Sequence, residues 1–292
     1  MNRPWRDEWQ LNLDSGAHLR VREWGNPEGP LIVFHHGTPS SSVAVPGGWD
    51  AAARNDALIC SFDRPGYGGS PRQAGRMVSS AAGWSAAVAD ALGRSEFAVI
   101  GTSGGGPHAA AAAAALPERV TALGLIVSLG PLHIPHATIP DMMAETEDEI
   151  AASRAGELAL RHLIDDLGGA DDALDQWMAL LPASDQEVLA RTEVQHEESV
   201  EHAEWSANGV DGWVDDDLAL FATDWGFDPS HIGTPTFVLY GESDVLVPPS
   251  HARLWQSVVP GARCEGIPHG GHWLRDHEPR VLDWVESLTP RR

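Results

Sequence analysis

The segment Gly101-Thr102-Ser103-Gly104-Gly105 constrains this chain more than any other. It follows the apolar run Phe97–Ile100 and opens a helical stretch, Gly105–Leu116, containing the alanine tract Ala109–Ala115. A strand turning this abruptly into a helix strains the serine backbone. Side chains two residues to either side would collide, so glycine is needed at 101 and 105. The Ser103 hydroxyl is then thrust out over the sheet edge. The helix start brings backbone N–H groups and a positive dipole end to where an oxyanion would form, with the N–H of Gly104 as donor. The blander reading of the same string is a glycine-rich loop that cradles phosphate; the strand before it and the helix behind it favour a nucleophile. The alanine tract reads as a helix that must approach the sheet closely.

Around this turn, short apolar runs bounded by turn residues recur at Leu31–His35, Ala57–Phe62, Phe97–Ile100, Ala122–Val127, Thr236–Tyr240 and Ala262–Ile267, the pattern of buried parallel strands. Helical stretches alternate with them: Ser79–Leu92, Gly105–Leu116, Ser250–Val259 and Pro279–Leu288. Gln10–Leu13 and Leu19–Glu23 read as a hairpin at the sheet edge. The expectation is an α/β fold, a mostly parallel eight-stranded sheet with helices on both faces and right-handed crossovers.

Charge marks an insertion in that body. Residues 133–232 hold 24 acids and 3 arginines, whereas the rest holds 18 acids and 16 arginines. The acidic stretch lacks strand-like runs but has amphipathic ones at Glu145–Leu167, Asp172–Leu180 and Asp185–Trp205. It reads as an all-helical acidic lid, 133–232, set into a core formed by 1–132 and 233–292. The overall charge of −23, with no lysine, repels nucleic acid and anionic lipid surfaces, so neither is an expected partner. No apolar run approaches the roughly 20 residues of a bilayer span, and the first ten residues lack the apolar stretch of a secretion signal. Cys60 and Cys264 each fall in a buried strand and read as core thiols. A reducing, cytoplasmic setting is expected.

A serine alone is a weak nucleophile and needs a base, with an acid to orient it. Asp244 lies in YGESD at the carboxyl end of the strand TFVLY, where open parallel sheets place their crevices. His272 lies in PHGGHW beyond the strand ARCEGI, behind two glycines that let its loop fold over the serine. Glu242 competes for the acid's role but reads better as a solvated loop carboxylate; His269 and His277 compete with His272. The order Ser103, Asp244, His272 is the serine–acid–histidine order of one class of hydrolases. A second oxyanion donor is expected after the strand LIVF, in His35-His36-Gly37-Thr38-Pro39. The N–H of Thr38 is the choice, because Pro39 has none and Gly37 turns the loop. His36 reads as a loop-ordering side chain. Asp63 and Arg64, in the turn-rich Asp63–Ser70 stretch, read as buttresses that order neighbouring loops.

HHGTP, FDRPGYGGS, GTSGGGP, YGESD and GGHW, in that order and spacing, resemble the α/β-hydrolase fold superfamily with a helical lid. The resemblance covers 10–132 and 234–290, and WGFDPSHIGTPTF continues it where the lid returns. It implies Ser103 as nucleophile, Asp244 as acid, His272 as base, and Gly104 with Thr38 as oxyanion hole. Haloalkane dehalogenases and epoxide hydrolases use an aspartate nucleophile, and Ser103 sets this chain apart from them. Proline iminopeptidases share the layout and an acidic lid that receives a substrate amine. Their loops usually read HGGPG and GGSWG, where this chain has HGTPS and GTSGG.

The implied reaction is two-step acyl transfer on a small-molecule ester, needing no metal or organic cofactor. Trp177, Trp205, Trp213 and Trp225 in the lid and Trp273 beside the base read either as an apolar acyl pocket or as packing between lid and core. The lid's charge reads either as steering toward cationic or neutral substrates or as a solvated surface. A ligand receptor of the same fold with negligible turnover is the competing class. Natural substrate and oligomeric state are left open by the sequence.

Overall fold

The computed structural model describes residues 3–132, 142–167 and 180–291. Eight strands form one sheet: β1 (Asp7–Asn12), β2 (His18–Gly25), β3 (Leu31–His35), β4 (Leu58–Phe62), β5 (Phe97–Thr102), β6 (Val120–Ile126), β7 (Thr236–Gly241) and β8 (Arg263–Ile267). Their spatial order is β1-β2-β4-β3-β5-β6-β7-β8. The β1–β2 hairpin sits at one edge, β2 runs antiparallel to β4, and every pairing from β4 onward is parallel. The expected alternation is thus present, with boundaries displaced by a residue or two.

The central strands bury both faces. Val33, Cys60 and Val99 point to one side, Ile32, Ile59 and Ile100 to the other, as a period of two requires. The first face is covered by α2 (Ala81–Ala91), α3 (Gly105–Ala115) and α9 (Pro249–Val258), the second by α1 (Trp49–Ala53) and α10 (Pro279–Ser287). Ala109–Ala113 of α3 are all buried, as close approach to the sheet demands. Cys60 lies in the core, but Cys264 is only half-buried, because β8 is the sheet's open edge.

Between β6 and β7 the described residues form helices: α4 (Ala144–Ala155), α5 (Glu157–Asp166), α6 (Ala183–Leu189), α7 (Thr192–Trp205) and α8 (Asp211–Asp217), which runs on into a π turn over Leu218–Ala222. Two expected long helices are divided. The stretch Glu145–Leu167 breaks at Gly156, whose φ of 111° no helix accepts. The stretch Asp185–Trp205 breaks at Arg191, which is extended and pairs with Asp276. Apart from Leu180, the expected helix Asp172–Leu180 lies outside the described residues. No described helix is long and apolar enough to cross a membrane.

Candidate active site

The strand–turn–helix at β5–α3 holds Ser103 at φ 51°, a left-handed conformation that costs a non-glycine residue energy. A Cβ at Gly101 would strike the backbone of Gly105 and Gly106, and one at Gly105 the carbonyls of His35 and His36. Both glycines are therefore dictated by close backbone approach. Asp244 follows β7. Its Oδ1 accepts the backbone N–H groups of Leu246 and Val247, each at 2.9 Å, and its Oδ2 lies 2.8 Å from Nδ1 of His272. Nδ1–H donates to that carboxylate, which leaves Nε2 as the acceptor on the far side of the ring. Burial pulls the imidazole's pKa down, but the charge and hydrogen bond of Asp244, aided by Asp185 and Glu278, outweigh it, and the net shift is upward. The competitors stand elsewhere: Glu242 and His269 are exposed, and His277 bonds to Arg280.

Ser103, His272, Thr38 and Gly104 line one cavity of about 290 Å³ between the sheet's carboxyl edge and the helical insert. A Cβ at Gly104 would collide with the Thr38 side chain, so the two candidate oxyanion segments touch. The loop bearing Thr38 is held from three sides. His36 donates from Nδ1 to Gly37 O at 2.8 Å and accepts the N–H of Arg64 at Nε2, the loop-ordering part expected of it. Asp63 accepts the N–H of Ser42 at 2.8 Å and of Gly69 at 2.9 Å. Arg64 donates to Gly37 O at 2.7 Å and to Thr38 Oγ1 at 3.0 Å.

A fourth support comes from the insert, and sequence reasoning missed it. Asp216 of α8 is fully buried and ion-paired with the equally buried Arg64 and Arg76. It also accepts the hydroxyls of Thr38 at 2.9 Å and Tyr67 at 3.0 Å. Burial alone would raise its carboxyl's pKa, yet the two guanidiniums hold it well below the usual range. Its one sequence signal is its place in Asp215-Asp216-Asp217 between the apolar pairs Trp213-Val214 and Leu218-Ala219, where a solvated charge run is out of place.

The cavity wall mixes apolar and acidic groups. Trp205, Trp213 and Trp273 line it, whereas Trp225 packs against Phe227 and Trp255; Trp177 lies outside the described residues. Among the described residues, six carboxyl groups reach it, those of Glu149, Glu197, Glu198, Glu201, Asp217 and Glu278, with Arg275 as the sole arginine. Arg275 pairs with Glu197. Glu198 accepts the indole N–H of Trp273 at 3.1 Å, and Glu149 that of Trp213 at 2.7 Å. Burial, reinforced by the charges of Glu198 and Glu197, pushes Glu201 up to about 8. Burial likewise raises Glu149, Glu198 and Asp217.

Comparisons agree with this architecture. The chain is 28% identical over 95% of its length, and 99% of the relative's, to a non-heme chloroperoxidase of Streptomyces lividans. It is 27% identical over 82% of its length, and 83% of the relative's, to a bifunctional esterase/perhydrolase of Acinetobacter calcoaceticus. Among solved structures, an esterase from Rhodococcus sp. ECU1013 superposes with a TM-score of 0.67 at 19% identity, covering 97% of this chain and 98% of that one, a likeness of fold. The family model for the alpha/beta hydrolase fold matches residues 30–279. With that match spanning most of its length, the chain belongs to the alpha/beta hydrolase fold family.

Proposed function

We propose that the chain is a serine hydrolase that cleaves carboxylic esters of small or medium substrates through an acyl-enzyme. Ser103 attacks the ester carbonyl while Nε2 of His272 takes its proton; Asp244 steadies the imidazolium, and the N–H groups of Thr38 and Gly104 receive the oxyanion. The protonated His272 hands its proton to the departing alcohol. Water then attacks the acyl-enzyme carbonyl while His272 takes its proton, and His272 returns that proton to the Ser103 oxygen as the carbon–oxygen bond to Ser103 breaks and the acid leaves. The observation that carries this reading is the His272–Asp244 pair at 2.8 Å facing the same cavity as a serine held at φ 51°. The esterase named among its relatives supports the same reaction class.

The lining favours acyl or alcohol groups that are neutral or cationic over anionic ones, since the one guanidinium among the described lining residues, Arg275, is already paired with Glu197 and leaves an entering carboxylate without that counter-charge. The same wall favours a second reading, amide hydrolysis of a substrate carrying a free amine. Labelling with a fluorophosphonate probe tests the nucleophile, and p-nitrophenyl esters beside proline arylamides separate the two readings. Rapid labelling that disappears in Ser103→Ala, with ester turnover, is the expected result. Labelling that persists in Ser103→Ala removes Ser103 from the mechanism. An unlabelled wild type that binds but turns over neither substrate class points instead to a ligand receptor.

A further inference from the structure

A second buried carboxylate addresses the His272 loop. Asp185, on α6 of the insert, has no exposed surface. Its Oδ2 accepts the backbone N–H of His272 and its Oδ1 that of Trp273, each at 2.9 Å. A Cβ at Gly271 would overlap this carboxylate, so glycine is required there for a reason unconnected with loop flexibility. The surrounding contacts repeat the same junction. Leu181, Val188, Leu189 and Val194 pack against Val245, Leu246 and Trp273, next to Asp244 and His272 in the chain. Arg191 forms two bonds to Asp276, at 2.8 and 2.7 Å.

We propose that Asp185 is a positioning residue for the hydrolysis proposed above, fixing the main chain of His272 so that its imidazole stays on Asp244, and thereby coupling the seating of the insert to the catalytic base. The inference rests on that reading of the triad. Two consecutive N–H groups can meet the two oxygens of one carboxylate in only a narrow range of peptide orientations, and charge-assisted bonds of this kind hold firmly. The Cα–Cβ direction of His272 is therefore set from outside the triad. Misplacing a reacting group by about 1 Å costs on the order of 10²-fold in rate.

Asp185 also adds negative potential near the ring. The other titratable groups around the ring are Asp244 after β7, and Glu278 before α10 and Glu198 of α7, both of which burial moves toward the neutral form, with Arg275 as the neighbouring cation. Removing one negative charge from that set lowers the pH at which His272 loses its proton.

The test uses the full chain as wild type, Asp185→Asn, Asp185→Ala and Asp276→Asn. Asp276→Asn weakens another of the insert's ties to this loop without touching the His272 N–H. Turnover of p-nitrophenyl acetate is followed across pH, fluorophosphonate labelling is run in parallel, and the His272 ring is titrated by NMR. In Asp185→Asn, kcat falls about tenfold with KM within about twofold. Its acid limb and ring titration both move to lower pH, while Asp276→Asn keeps the wild-type limb. Asp185→Ala loses about 10²-fold in kcat; should it fail to fold, the isosteric Asp185→Asn decides. A folded Asp185→Asn with wild-type kcat and titration overturns the proposal, as does the same shift appearing in Asp276→Asn. A wild type that neither labels nor turns over esters overturns the hydrolase reading and this one with it; an active wild type with an indistinguishable Asp185→Asn overturns this one alone.

Discussion

Asp216→Asn is the substitution that best tests how the insert and the Thr38 loop are joined. The carboxylate balances Arg64 and Arg76, all three side chains having 0% exposure, and it accepts the Thr38 and Tyr67 hydroxyls. Asparagine keeps the shape and one acceptor but leaves two desolvated guanidiniums facing a neutral amide. Breaking a buried pair by removing one partner costs about 3–5 kcal/mol. At roughly 2 °C per kcal/mol for a chain of this size, Tm falls by about 6–10 °C. Thr38 loses its fixed hydroxyl partner, so kcat drops about tenfold, short of the 10²–10³ expected when an oxyanion donor is lost outright. The pH dependence has a definite sign. A carboxyl depressed in the folded state adds stability above its unfolded value, about 3.9, and that stability is lost as pH falls through the folded value. The gap in Tm between wild type and variant is therefore full at pH 7 and narrows below about pH 4. Thermal unfolding by circular dichroism at pH 7 and pH 3.5, with ester turnover at pH 7, measures both effects. A folded variant within 2 °C of wild type at pH 7, with unchanged kcat, refutes the idea that this buried cluster bears load.

Three further outcomes follow from other groups. Glu201 is held protonated by burial and by Glu198, so its contribution to stability is full below about pH 4.3, its unfolded value, and is lost as pH rises through about 8. Wild-type Tm should fall between pH 6 and 9, and Glu201→Gln should flatten that slope; parallel slopes in scanning fluorimetry reject the assignment. With the His272 pKa raised, kcat/KM should already be falling as pH drops toward about 6.5, and an acid limb centred below that value contradicts the Asp244 pairing. Gly105→Ala drives a Cβ into the carbonyls of His35 and His36 and should cost several-fold in soluble yield as well as most of the activity, whereas Gly83→Ala, with open space around it, should leave both unchanged.

The sheet was legible because its strands are short apolar runs buried on both faces, and such runs are hard to mistake between glycine- and proline-rich turns. That Asp244 bonds to His272, and that His272 shares a cavity with Ser103, could be expected from the sequence for a related reason: each of the three follows the end of a strand, and strand ends are where apolar runs stop. The insert was harder to read. The break at Gly156 depends on a backbone angle, and that at Arg191 on a tertiary partner, Asp276, that no local pattern encodes. Asp216 and Asp185 were unreadable because what makes them special is burial against residues far away in the chain, Arg64, Arg76 and His108 for the first and the His272 loop for the second. A charge run looks the same in sequence whether it faces water or two arginines.

That difference also separates the carboxylates of the insert from one another. Its carboxylates divide by environment. One group meets the arginines of the core at the seam: Glu204 with Arg20 and Arg22, Asp215 and Glu157 with Arg72, Glu197 with Arg275. A second group, Glu149, Glu198, Glu201 and Asp217, turns inward to the cavity, where burial favours their neutral forms. Part of the uneven charge between core and insert is therefore complementarity across a seam, together with acidic groups facing the pocket, while others, among them Glu147, Asp148, Asp165, Asp166, Glu187 and Glu193, are exposed to solvent. The partly exposed seam pairs are each worth at most about 1 kcal/mol and are screened by salt, whereas the desolvated Asp216 cluster is screened far less. High salt should thus loosen the rim of the insert while its anchor over the Thr38 loop stays seated, which makes the pocket mouth, rather than that loop, the part of this site that ionic strength can reach.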